Sequence, residues 1–130
     1  MKSIQVLLFA LFFSSISFSQ VELAISNEEK GTSYFYHNFG KIFTGSTQYV
    51  RYDVKNKGTA PLKFLKAQIG GSFDFSAYHS CKNGLDPQKS CWFEIRYWPL
   101  FEGWDTGRFI ISFDQDNNIV VDLNGEAYKL

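Results

Sequence analysis

Few residues in this chain could do chemistry. His79, Cys81 and Cys91 form the one local grouping of a histidine with thiols. A nucleophile–base pair would need a free thiol near the imidazole and a third group to orient it. Zinc would need these three side chains at an irregular spacing, a weak metal signal. Two cysteines in an exported chain suggest one disulfide instead, and an oxidised Cys81 is no nucleophile. Asp114 and Asp116 sit in the run D-Q-D-N-N. That run lacks the glycine and the distal glutamate of a calcium loop, and reads as a hairpin turn. His37 lies in an aromatic stretch and reads as a partly buried side chain with a satisfied ring nitrogen. No phosphate-cradling glycine loop occurs. The expectation is no enzyme, no metal and no cofactor.

The more informative residues are tryptophans. Cys81 to Pro99 holds both cysteines, two of three prolines and two of three tryptophans. Its second half alternates. Cys91, Phe93, Ile95 and Tyr97 fall on one face, and Trp92, Glu94, Arg96 and Trp98 on the other. The first set is assigned to the core, with Glu94 expected to be solvated. Trp92, Arg96 and Trp98 then form a candidate binding surface, since Trp and Arg dominate interface hot spots. Plain cross-strand packing of the same rings is the structural alternative.

The rest of the chain must position that strand. Lys2, the apolar run from Ile4 to Phe13 and the small residues Ser17 and Ser19 make a secretory signal peptide over residues 1–19. The run is too short for a bilayer that needs roughly 20 residues. Residues 20–130 remain as a single domain. Without Lys2 that domain carries 12 basic and 13 acidic side chains and no basic stripe, so nucleic acid is a poor partner and no membrane insertion is expected after cleavage. A disulfide closing about eleven residues should stabilise by roughly 2–3 kcal/mol. The expected compartment is the periplasm or the exterior.

Strands follow one another at turn signals. Val21–Ser26 reads as an edge strand, Tyr34–Phe39 as an aromatic one, and Gln48–Lys55 as a half-buried strand with Val50, Tyr52 and Val54 inward. Pro61 opens a strand that Gly70-Gly71 breaks, and Phe73 and Phe75 alternate in a short strand beyond the break. Phe101–Thr106 reads as a loop, Arg108–Phe113 as a strand, and Ile119–Leu123 as the last strand before Asn124-Gly125. Seven or eight strands spaced at roughly 8–12 residues predict an all-β sandwich or barrel.

The punctuation also resembles the bacterial immunoglobulin-like domains of the ASPM–SPD-2–Hydin (ASH) group, or choice-of-anchor D type. The matching residues are Phe39-Gly40, Gly45, Asn56 to Leu62, Phe73, Cys81, Leu85, Pro87, Ser90-Cys91, Pro99, Gly103 and Leu123-Asn124-Gly125, across residues 34–127. Gln88-Lys89 and Tyr97-Trp98-Pro99 depart from the usual pattern. The cysteines lie too close in sequence for an antibody-type bridge between sheets. The resemblance implies an immunoglobulin-like β-sandwich of seven or eight antiparallel strands, used as a binding or scaffold module without shared catalytic residues. A protein partner is expected, engaged at the tryptophan face or by strand addition at a sheet edge, with carbohydrate as a second possibility. The competing reading is a small secreted enzyme or inhibitor-like effector acting through the Cys81–Cys91 loop.

Overall fold

Eight strands follow in chain order in the computed structural model, which describes residues 18–130. They are β1 (Phe18–Ile25), β2 (Gly31–Phe43), β3 (Gln48–Asn56), β4 (Phe64–Gly71), β5 (Phe75–His79), β6 (Ser90–Tyr97), β7 (Gly103–Phe113) and β8 (Asn117–Tyr128). One sheet has the order β1-β3-β6-β5, the other β2-β8-β7-β4. The architecture is the expected all-β sandwich with one disulfide, Cys81–Cys91. Two pairings differ from an all-antiparallel arrangement: β1 runs parallel to β3, and β2 parallel to β8. Both β1 and β2 cross from one sheet to the other rather than folding back as hairpins, and a crossover is what permits parallel neighbours. The leader expected over residues 1–19 lies mostly outside the described residues. Phe18 and Ser19 belong to β1, and cleavage before Gln20 would leave Gln20–Ile25 paired with β3.

The core forms where alternation meets the gap between sheets. Val50, Tyr52, Val54, Phe93, Ile95 and Tyr97 point in from one sheet, and Phe109, Ile111, Phe113, Ile119, Val121 and Leu123 from the other. Aromatic rings run through the middle: Tyr52 stacks on Phe93 at 4.7 Å, Phe93 meets Phe109 at 4.8 Å, and Phe75 stacks on Tyr97 at 4.9 Å. Each such side chain removes roughly 150–250 Å² from water.

Glycines explain where the strands outrun the sequence reading. Gly125 does not end β8, because the strand continues to Tyr128. A Cβ at position 125 would run into the Tyr97 ring, so the glycine serves close approach rather than a turn. Gly71 likewise closes β4 instead of following it. Its φ is +96°, and its α-carbon faces the backbone of Thr106 and Gly107. Phe73 does not belong to the short strand with Phe75: it precedes β5 and is fully exposed, at 102%. The Ser72–Asp74 turn resets the alternation, so Phe75 points in and Phe73 does not.

Candidate binding surface

Glu94 is the pivot of the outer face of the first sheet. Register places Arg51 of β3 beside Glu94, Tyr49 beside Arg96 and Asp53 beside Trp92, with Tyr78 of β5 on the other flank of Glu94. The Glu94 carboxylate accepts a hydrogen bond from Arg96 Nε at 2.8 Å and one from Arg51 Nη2 at 3.4 Å. Arg51 lies over the Trp92 ring at 4.2 Å, and Arg96 over Tyr78 at 4.8 Å and Tyr49 at 5.8 Å. Glu94 is therefore 6% exposed, a correction to its expected solvation. Outward-pointing does not mean wet, because long neighbours on both flanking strands fold over it. Each guanidinium–ring contact adds about 0.5–1 kcal/mol at such a partly exposed site.

The three residues proposed as one surface occupy different settings. Trp92 is half-buried under Arg51, and Arg96 is exposed but tied to Glu94. Trp98 lies beyond the end of β6, six residues from Trp92, which is roughly 20 Å along a strand. It belongs to a second grouping at that end of the sandwich.

There the connections β2–β3, β4–β5 and β6–β7 meet the end of β8. Trp98 N donates to Asp74 O at 2.8 Å, and its indole Nε1 donates to Gly45 O at 3.2 Å. Gly45 N donates to Pro99 O at 2.7 Å, and Thr44 N to Tyr128 O at 3.0 Å. These bonds brace the loops against one another while their side chains face outward. Phe101 is 80% and Trp98 54% exposed, and Leu100 and Trp104 are exposed as well. Thr44, Leu100, Phe101, Glu102 and Lys129 line a shallow depression of about 310 Å³. The signal for this grouping was present in W-P-L-F-E: turn segments are usually polar, and this one carries three large apolar residues, with Trp104 following at the start of β7, which begins at Gly103 inside the expected loop Phe101–Thr106.

A polar cluster supports the same end from below. The buried Tyr97 hydroxyl donates to Asp105 Oδ2 at 2.7 Å, and Ser72 Oγ donates to Asp105 Oδ1 at 2.8 Å. Burial, then the Asp105 hydrogen bond and charge, push Tyr97 well above the usual phenol range. Asp74 is also raised, by burial first and then by its hydrogen bond to Asp105 and that group's charge. A neighbouring negative charge disfavours the ionised form of Asp74.

The remaining candidates have structural partners. His79 Nδ1 accepts the Cys81 amide at 3.1 Å, and its ring lies 4.9 Å from Phe64. Asp114 Oδ1 accepts the Lys63 amide at 2.7 Å, while Gln115 and Asp116 take positive φ in the turn. His37 is half-buried with its ring 4.5 Å from Phe39, and burial lowers its pKa.

Solved structures with this arrangement include the ASH/PapD-like domain 7 of human CEP192, at TM-score 0.53 and 11% identity over 78% of this chain and 84% of that one. The fold is ASH/PapD-like. The same sandwich recurs in the Vibrio cholerae protease VesB, at TM-score 0.58 and 16% identity over 71% of this chain, and in the secreted serine protease VesC of the same organism, at 0.53 and 17% over 70%. This ASH-like chain spans only 30% of the VesB chain and 21% of the VesC chain. No protein-family model and no curated protein matches the sequence.

Proposed function

We propose that this protein is an exported, non-enzymatic ASH-like module that binds a protein partner through the braced loops around Trp98. The observation that carries the reading is the combination of exposure with bracing. Phe73, Trp98, Leu100 and Phe101 project from loops cross-linked by the backbone bonds described above. Rigid, pre-positioned aromatic side chains lose little conformational freedom on binding, which raises affinity for a given contact area. Exposed apolar groups clustered this way mark interaction sites in soluble proteins. Around them lie Asp74, Glu102 and Lys129, a rim of mixed sign. A mixed polar rim suits a protein interface, whereas anionic membranes call for clustered Lys and Arg.

The Cys81–Cys91 loop supports the competing effector reading less well. Cys81, Leu85 and Cys91 are buried, and Leu62 and Leu85 exchange backbone hydrogen bonds at 2.9 and 2.8 Å. That loop is anchored inward at its centre. The disulfide itself accords with an oxidising compartment.

The test is capture from the envelope and medium of the native cell, with the mature chain as bait. Phe101→Ser and Phe73→Ser should each weaken retention of the specific partner by about fivefold or more, the roughly 1 kcal/mol that only a minority of interface residues reach on truncation, with Tm unchanged. Equal capture by wild type and both variants would refute the loop surface.

A further inference from the structure

The four sheet edges are defended unequally. Edge strands offer unpaired backbone groups, and proteins blunt them with charge, proline, bulges or shortness. β5 is five residues long, and β1 carries Glu22. β4 carries Lys66, a register shift between Phe64 and Lys66, and Gly70-Gly71. β2 is thirteen residues long, and its only lysine, Lys41, comes after the bulge between Asn38 and Lys41. Before that bulge, T-S-Y-F-Y-H-N has no acidic or basic residue except His37 and no proline. Among the described residues, β8 is the one strand hydrogen-bonded to it.

We infer that this edge pairs with a second copy of itself, β2 antiparallel to β2 about a two-fold axis through Phe35. The segment's own limits choose that register. Gly31, with φ +131°, is not in extended conformation, and the bulge ends the regular run at Asn38. Thr32–Asn38 is thus the pairable stretch, and its midpoint is Phe35. A two-fold normal to the sheet puts side chains of the same face opposite one another. Tyr34 then faces Tyr36 of the second copy, twice by symmetry, and Thr32 faces Asn38. Tyr34 and Tyr36 are 70% and 63% exposed on the outer face, free to form those aromatic cross-strand pairs. No like charges meet. Such an isologous contact closes after two copies, so it yields a dimer and not a fibre. It is independent of the loop surface at the end of the sandwich.

Sedimentation equilibrium of the mature chain from micromolar to millimolar concentration tests the inference. Wild type should show a reversible monomer–dimer equilibrium. Tyr34→Lys with Tyr36→Lys sets lysine opposite lysine at both symmetric contacts, and should weaken the dimer at least about tenfold. Tyr34→Lys with Tyr36→Glu sets opposite charges in the same register and should restore it. Tm of each variant confirms folding. A wild-type chain monomeric at millimolar concentration overturns the inference. So does equal weakening by both double variants, which would mean that residues 34 and 36 do not face each other.

Discussion

The two ends of the sandwich use hydrogen bonds to opposite purposes. At the end where β3 finishes and β6 begins, side chains turn inward and tie loop to loop. Asn56 is fully buried: its Nδ2 donates to Ala60 O and Leu85 O, both at 2.9 Å, and its Oδ1 accepts Gly58 N at 2.9 Å. Asn27 Oδ1 accepts the amides of Thr59 and Ala60, and Asn117 Nδ2 donates to Ser26 O at 2.8 Å. The disulfide closes the same region, with α-carbons 5.1 Å apart. At the other end the backbone is braced as well, yet the large side chains face solvent. One end spends its side chains on stability, and the other leaves them available for contact.

The largest expected effect breaks the tied end. Asn56→Ala leaves the Gly58 amide buried without its partner and strips the Ala60 carbonyl of its side-chain donor, while the Leu85 carbonyl keeps its bond from Leu62 N. Stability should fall by about 2–4 kcal/mol, because a buried unsatisfied group costs its full desolvation. Urea midpoints measure it, and a loss under half that size would mean water replaces the amide. Removing the disulfide as the Cys81→Ala, Cys91→Ala pair should come next, at roughly 2–3 kcal/mol on the chain-entropy account. A shift of similar size when wild type is reduced with dithiothreitol would check that value without mutation.

At the display end the expectation reverses. Phe73→Ser and Phe101→Ser should change stability by less than about 0.5 kcal/mol, as exposed substitutions do. A large loss from either would mean that its ring packs in solution, and the two ends would then be alike.

The sequence made the tied end and the core easy to read and the display end hard. Phe93 and Ile95 were placed inward by alternation, and both are fully buried. Alternation sorts faces and not solvent, however, and so it missed Glu94. Arg96 binds Glu94 from the same strand, but Arg51 of β3 and the Tyr49 and Tyr78 rings that hold Arg96 in place come from β3 and β5, a tertiary fact invisible in a single strand. Phe73 failed for a local reason, since parity does not survive a turn. Gly125 looks like punctuation in the sequence because close packing on Tyr97 calls for the same residue type as a turn. Trp92 and Trp98 shared a face in the sequence but were divided by distance along the strand and by where β6 stops. The parallel pairings of β1 and β2 depend on crossovers that no local pattern encodes.

The smallest expected effect concerns protonation under the display end. Asp74 is raised above its ordinary value, by burial first and then by Asp105. A carboxyl raised in the folded state holds a proton that the unfolded chain has already released. Its stabilising contribution is present in full below the unfolded pKa, and is lost as pH rises through the higher folded value. Wild type should therefore lose some stability across the mildly acid range as pH increases. Asp74→Asn keeps a donor facing Asp105 and cannot titrate, so it should lack that component. His37, lowered by burial, contributes with the opposite sign, destabilising the fold as pH falls below the ordinary imidazole value. It is common to both proteins and cancels when the urea midpoints of wild type and variant are subtracted at each pH. The difference should favour wild type most at the acid end and shrink toward neutrality. A flat difference would mean that its setting does not raise Asp74. The braces of the display end would then be as insensitive to pH as the Asn56, Asn117 and Ser26 ties at the opposite end.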